Sequence, residues 1–134
     1  MPSNTPHSID LDTPPIEGVW ANAAGSRLVL SEQAGALSGI YRTAIGAADL
    51  GRDYPLTGWR NGRCVGFTVS WGPDSDSVTA WTGLMHDDGG APALHTVWVL
   101  VRGTLVGKTA EGFAEREAAP WEAFSMQTSI FRRS

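Results

Sequence analysis

The amino-acid sequence predicts an all-β protein, folded as an eight-stranded antiparallel up-and-down β-barrel. From Ile16 onward, short apolar segments recur at roughly ten-residue spacing, with Gly, Pro, Asn and Asp between them. Several of these segments alternate apolar and polar residues with a period of two, which is typical of a half-buried strand. Consecutive antiparallel strands that need no free edge favour a closed barrel, and a β-sandwich is the alternative architecture.

The individual strands are predicted from apolar segments that have turn residues on both sides. In Phe67–Trp71, for example, Phe67, Val69 and Trp71 share one face. Asn61-Gly62 between two apolar segments predicts a type I′ hairpin turn. The predicted strands cover residues 19–20, 27–30, 36–43, 54–59, 63–71, 77–85, 93–101 and roughly 108–116.

Both ends of the chain are expected to lie outside the barrel, which is predicted over residues 16–117. Residues 1–15 are polar and proline-rich, and lack the basic and apolar regions of a secretory signal, so we expect them to be disordered or loosely packed. Residues 118–134 are expected to form a C-terminal extension. Within 111–124, frequent Ala and Glu favour a helix, although Pro120 interrupts it.

Composition excludes several classes of protein. The chain has 134 residues and a mass of 14.3 kDa, which is enough for one core. A net charge of −4 argues against nucleic acid or an anionic membrane as the main partner. No apolar segment is long enough to span a bilayer. The single cysteine, Cys64, cannot form an intrachain disulfide.

Tryptophan is frequent, with six residues in this small domain. Trp71, Trp81 and Trp98 fall on successive predicted strands, near the end of each apolar segment. If their side chains point inward, they line one end of the barrel, and an aromatic wall with a few small polar groups is the usual form of a small-molecule site. The alternative is that these tryptophans are ordinary core residues.

Motifs for catalysis or metal binding are weak in this sequence. Residues 103–108 contain three residues between two glycines, where a phosphate-binding loop needs four. His86-Asp87-Asp88 lies on a Gly-rich turn without further ligands nearby in the sequence. No Gly-x-Ser-x-Gly nucleophile motif occurs. We therefore expect no metal, no cofactor and no catalytic residue.

The segment Gly18–Ser26 resembles the opening Gly-x-Trp-x-Asn-x-x-Gly-Ser of the avidin/streptavidin family. Five further segments are similar to those of the family in the same order, namely Gly35–Tyr41, Tyr54–Gly58, Gly66–Trp71, Ser77–Gly83 and Thr96–Leu100. The resemblance covers roughly residues 16–113 and is closest in pattern to the short dimeric bacterial avidins. It implies an eight-stranded barrel that holds biotin non-covalently at its open end, and a family whose members are usually secreted.

The resemblance also implies a set of biotin-binding residues. Asn22, Ser26 and Tyr41 match the donors to the ureido oxygen, and Thr43 matches an acceptor for one ureido N–H. The other matching positions surround the thioether, the carboxylate and the apolar parts of the ligand, and they are Ile45, Ala47 (through its backbone N–H), Phe67, Trp71, Ser77, Thr79, Trp81, Trp98 and Leu100.

The sequence departs from the family at the acceptor for the second ureido N–H. The family places an Asp or Asn two residues before a Phe on the last strand. Anchoring on Phe113 puts Glu111 there, and anchoring on Thr104–Gly107 puts Thr109 there; we favour Glu111. A glutamate is one methylene longer than an aspartate. With a glutamate at this position, three alternatives stay open. The protein binds biotin more weakly, it binds a different small ligand, or it is an enzyme that uses Glu111 as an acid or base.

A second departure concerns the assembly of subunits. Tetrameric members of the family carry a tryptophan, before the last strand, that covers the biotin of a neighbouring subunit. The predicted connection from Leu100 to Lys108 is short and has no such residue, and Trp121 is predicted to lie beyond the last strand. We therefore expect a homo-oligomer, with a dimer favoured over a tetramer. The apolar tail 124–131 is a candidate for insertion into a neighbouring site.

Overall fold

The computed structural model describes residues 14–44 and 52–134, and almost all of its regular structure is β-strand. A single 3₁₀ turn, Pro120–Glu122, interrupts the strands near the C-terminus. The strands in chain order are β1 Gly18–Ala21, β2 Arg27–Gln33, β3 Ala36–Arg42, β4 Asp53–Asn61, β5 Cys64–Ser70, β6 Ser77–Asp88, β7 Ala91–Arg102, β8 Thr104–Thr109, β9 Gly112–Glu117 and β10 Phe124–Arg133.

Eight of these strands close into one antiparallel barrel, which confirms the predicted fold. From β1 to β7, each strand pairs with the next one along the chain. The ring is closed by β10, which pairs with β7 on one side and with β1 on the other. The remaining strands, β8 and β9, pair only with each other and form a hairpin between β7 and β10. Closure leaves no unpaired sheet edge along the main sequence of strands.

The barrel interior is filled by every second residue of each strand, as the period-two pattern predicts. Along β6, buried Ser77, Thr79, Trp81 and Met85 alternate with exposed residues. The same alternation along the other strands produces one hydrophobic core. Its fully buried large members are Ile16, Trp20, Leu28, Leu30, Tyr54, Leu56, Phe67, Val69, Met85, Leu94 and Phe131.

The last barrel strand is β10, and the predicted boundary at residue 117 is wrong. Residues 118–134 are not an extension, because β10 pairs along nearly its whole length with β7. The predicted eighth strand, 108–116, instead spans the turn of the β8–β9 hairpin. Cross-strand pairing also overrides the helical preference of residues 111–124, of which 112–117 form β9.

One end of the barrel is closed by the segment that leads into β1. Ile16 is fully buried there, and its carbonyl accepts a hydrogen bond from Trp20 Nε1 at 2.9 Å. Arg133 stacks on the Trp20 ring at 4.2 Å and donates to the carbonyls of Glu17 and Pro15. This strap, residues 14–17, forms what we call the closed end. The expectation that residues 1–15 are disordered or loosely packed is wrong for Pro14 and Pro15, whose carbonyls accept hydrogen bonds from Arg60 and Arg133. Residues 1–13 of that segment lie outside the described residues.

The β4–β5 hairpin turns one residue later than predicted. Asn61 pairs with Cys64, so the two-residue turn is Gly62-Arg63. Only Gly62 has a positive φ, of 59°. A type I′ turn requires positive φ at both central positions, whereas a positive φ at the first alone is the pattern of a type II′ turn. In the part of the chain that the structure describes, no helix is long and apolar enough to cross a membrane.

Candidate functional site

The candidate site lies at the barrel end opposite the strap, which we call the mouth. Here β3 and β7 end while β6 and β10 begin, so that Arg42 is paired with Asp53 and Ser77 with Arg102 across neighbouring strands. Most of the predicted ligand-binding residues that the structure describes come from several strands and loops at this end, and the antiparallel order brings them to one opening.

A connected group of polar side chains occupies one side of the mouth. Asn22 Oδ1 accepts a hydrogen bond from the backbone N–H of Ser26 at 3.0 Å. The Ser26 side chain is buried, and its Oγ accepts from the N–H of Ala44 at 3.1 Å. A further side-chain hydrogen bond joins Ser26 to Tyr41. The structure therefore brings together the predicted donors Asn22, Ser26 and Tyr41, which we call the polar triad.

Burial changes the acid–base behaviour of Tyr41. Desolvation raises the pKa of its phenol above the ordinary value, and the hydrogen bond with Ser26 offsets part of this rise. The phenol therefore remains neutral, and able to donate, in alkaline solution where free tyrosine ionises. Since the unfolded chain ionises first, the associated stability is present below a pH of about 10 and is lost as the pH rises toward the pKa in the folded state.

We expect this shift to be visible by absorbance, because the chain has only two tyrosines. Titration at 295 nm should show a phenol that ionises above the pH expected for free tyrosine. The variant Tyr41→Phe should show a smaller absorbance rise above a pH of about 10 than the wild type, since it removes a phenol whose pKa is raised. An absorbance loss in Tyr41→Phe that is confined to a pH at or below about 10 would contradict this prediction.

Aromatic rings form the wall next to the polar triad. The Tyr41 ring lies 4.9 Å from Trp81 and 5.6 Å, edge to face, from Trp71. Trp81 stacks on Phe67 at 5.0 Å and pairs across the strands with Trp98, which is half-buried against the core. Leu100, two residues after Trp98, packs against the same core. Trp71, Trp81 and Trp98 are thus on the inner surface at one end.

The remaining predicted contact residues fall into two groups. Thr43, Ser77 and Thr79 are buried. Thr79 Oγ1 accepts a hydrogen bond from Trp71 Nε1 at 2.8 Å, which fixes the indole, and Ser77 Oγ lies 2.8 Å from Ser75 Oγ. Ile45 and Ala47 lie outside the described residues, so their predicted roles stay predictions.

The predicted acceptor on the last strand is wrong. Glu111 is exposed at the turn of the β8–β9 hairpin, and Thr109 is exposed next to it at the end of β8. The anchor residue Phe113 is itself 76% exposed and does not point into the barrel. This placement also removes the basis for an enzyme that uses Glu111 in the barrel interior.

Ser129 stands on the last barrel strand at the spacing that the family resemblance requires of the acceptor, two residues before a phenylalanine. It lies on β10, opposite buried Thr96 of β7, and its Oγ accepts a hydrogen bond from Asn22 Nδ2 at 3.2 Å. The signal was present in the sequence, because Ser129 stands two residues before Phe131, which is fully buried. Anchoring the last strand on Phe113 instead led the prediction to Glu111.

Trp121 precedes the last strand, contrary to the prediction. It lies on the 3₁₀ turn between β9 and β10 and is 86% exposed. The connection between the barrel strands β7 and β10 is therefore long and contains a tryptophan, rather than short and without one. The tail 124–131 lies within β10 and is not available for insertion into a neighbouring site.

Within residues 14–44 and 52–134, no group of three or more His, Cys, Asp or Glu residues is arranged to hold a metal ion. At the closed end, Asp88 forms an ion pair with Arg132 at 3.2 Å, and His95 Nε2 lies 2.9 Å from the same carboxylate.

Comparison with known proteins identifies relatives of this chain. The family model described as Avidin family matches residues 12–131. Afifavidin from Afifella pfennigii is 35% identical over 105 residues, which are 74% of this chain and 66% of that protein, so the match spans just under two thirds of the relative. The crystal structure of xenavidin matches with a TM-score of 0.72 and 28% identity, covering 92% of this chain and 100% of that one. The biotin complex of short afifavidin has the same fold, with a TM-score of 0.63, 24% identity and coverage of 95% and 98%.

Proposed function

The chain belongs to the avidin family, and from this premise we propose that it binds biotin non-covalently at the mouth of the barrel, without catalysis. The observation that carries the proposal is the polar triad, in which Asn22, Ser26 and Tyr41 meet beside the wall of tryptophans. A short form of the relative afifavidin has been solved in complex with biotin, which supports the same ligand.

The chemistry of the polar triad fits the oxygen of a cyclic urea. Its side chains offer amide and hydroxyl N–H and O–H groups, and these polarise a urea oxygen when they donate to it together. Such hydrogen bonds are stronger at a partly buried position than in water. The indoles supply flat apolar surfaces for a small bicyclic ring and its tail.

Direct titration with biotin tests the proposal. We expect saturable binding of one biotin for each chain, read by calorimetry and by a change in tryptophan fluorescence, because Trp71, Trp81 and Trp98 border the site. A titration without heat or fluorescence change at micromolar protein would contradict it. Binding of another small cyclic urea or amide in its place would support the alternative of an avidin-like barrel with a different ligand.

Ser129 gives the proposal a gain-of-affinity prediction. A neutral hydroxyl is a weaker acceptor for a ureido N–H than a carboxylate, because charged acceptors form hydrogen bonds roughly twice as strong. We therefore expect Ser129→Asp to bind biotin about tenfold more tightly than the wild type. The matched control is Ser38→Asp, which adds the same charge at an exposed position on β3. Weaker binding by Ser129→Asp would show that Ser129 does not face the ureido group.

We also propose that the chain forms a homodimer through the outer face of β6, β7 and β10. Outward residues of these strands are apolar along most of their length, and Phe124 and Met126 of β10 are 61% and 68% exposed. Other members of this face are Val78, Leu84, Val97 and Ile130. An exposed apolar patch of this kind is typical of an interface.

Sedimentation of the wild type and of Met126→Glu tests the dimer. The expected result is a wild-type dimer that dissociates in the variant, since an added charge at an apolar interface is costly. Trp59→Glu is the control, because Trp59 is an exposed apolar residue on the opposite wall. A tetramer that is lost in Trp121→Ala would overturn the preference for a dimer.

A further inference from the structure

Arg102 is the one cationic side chain that β7 contributes to the mouth. It continues the inward series Trp98 and Leu100, and it stands directly opposite Ser77 of β6. Directly opposed residues of antiparallel strands share a face, with their Cβ atoms about 4.5–5.5 Å apart. Arg102 is therefore next to buried Ser77, on the inner surface of the rim.

The guanidinium of Arg102 is incompletely satisfied. Its Nη2 donates to Ser125 Oγ at 3.0 Å, whereas its Nε is buried and has no hydrogen-bond partner among the described residues. Arg102 also forms no ion pair in that part of the chain. Asp76, which precedes Ser77, accepts from Thr104 Oγ1 at 2.8 Å instead.

A buried N–H without an acceptor is costly, and a guanidinium can only donate hydrogen bonds. A carboxylate is the acceptor that fits best, because it can take two parallel hydrogen bonds from a guanidinium. We propose that Arg102 receives the carboxylate at the end of the ligand's acyl tail, so that the site prefers free acids to neutral amides or esters. This inference rests on the proposed function and deepens it.

The preference is measured with two ligands that differ only at the tail, biotin and biotinamide. We expect the wild type to bind biotin at least about tenfold more tightly than biotinamide, as a charge-assisted hydrogen bond at a partly buried site requires. In Arg102→Met this preference should disappear, through a loss of biotin affinity, while biotinamide affinity stays within about twofold. Arg102→Lys keeps the charge without the planar geometry and should retain part of the preference.

Two further variants make the result specific. Arg63→Met removes one positive charge at the closed end, where Arg63 Nε donates to the carbonyl of Met85, and it should leave the preference unchanged. Ser125→Ala removes the partner that orients Arg102 without removing the charge, and it should reduce the preference in part. Melting curves identify any variant that is unfolded at the assay temperature.

The possible failures are distinguishable. A wild type that binds both ligands equally well overturns the role of Arg102 and leaves the proposed function intact. Equal loss of affinity for both ligands in Arg102→Met overturns it too, because a structural role alone gives that pattern. If the wild type binds neither biotin nor biotinamide, the proposed function itself fails and the inference fails with it.

Discussion

The double variant Asn22→Ala with Tyr41→Phe is expected to bind biotin about a thousandfold more weakly than the wild type. Each substitution removes one donor from the polar triad and leaves the surrounding wall in place. A hydrogen bond to a strongly polarised or charged group contributes about 1.5–3 kcal/mol, and each 1.4 kcal/mol corresponds to about a factor of ten in affinity. Calorimetry and the dissociation rate of labelled biotin measure the loss.

The chain offers a control with the same two chemical changes. Asn61→Ala with Tyr54→Phe alters an asparagine at the β4–β5 turn and a tyrosine whose hydroxyl bonds Asp74 rather than the polar triad. We expect this control to bind biotin within a few-fold of the wild type. A loss of less than about tenfold in the first variant, with both proteins folded, would place the urea oxygen elsewhere.

Gly58→Ala is expected to destabilise the barrel by about 3 kcal/mol or more, the largest effect on stability that we predict. Gly58 lies at an inward position of β4, opposite Phe67 of β5. A Cβ atom added there would lie 1.9 Å from the carbonyl oxygen of Gly66 and 2.6 Å from Phe67 Cα. Both are backbone atoms, so the pairing of β4 with β5 must shift to make room.

Urea unfolding, followed by tryptophan fluorescence, measures this effect. The matched control is Gly107→Ala on β8, where an added Cβ meets no atom within 4 Å. We expect the control to unfold at the same urea concentration as the wild type. A Gly58→Ala protein with an unchanged midpoint would show that β4 and β5 can separate locally at little cost.

The sequence was sufficient to predict the barrel and most of the mouth, because those residues carry strong local signals. The period-two alternation in Phe67–Trp71 gives the inward face directly, and it correctly places Phe67, Val69 and Trp71 inside. The position of Trp81 opposite Trp98 follows from the same alternation once neighbouring strands are paired. The period therefore specifies which residues of the central strands face inward, although the turn between β4 and β5 lies one residue later than the sequence predicts.

The C-terminal part could not be predicted from local pattern alone. Residues 104–117 alternate and turn like barrel strands, yet residues 106–117 are all exposed, with Phe113 and Val106 facing away from the core. Only closure of the ring shows that β10, rather than this hairpin, pairs with β7 and β1. Ser129, and with it the connection to Asn22, depends on that long-range pairing.

The strap at the closed end determines where a small molecule can enter and leave the barrel interior. Ile16, Trp20 and Phe131 are fully buried there, and Arg133 is bound to backbone carbonyls of the strap. The interior is thus a blind tube, in which a guest and the water it displaces must pass through the same opening. The dissociation rate of a bound ligand then depends on the residues at the mouth. Substitutions at the closed end are expected to change the unfolding rate of the protein before they change that dissociation rate.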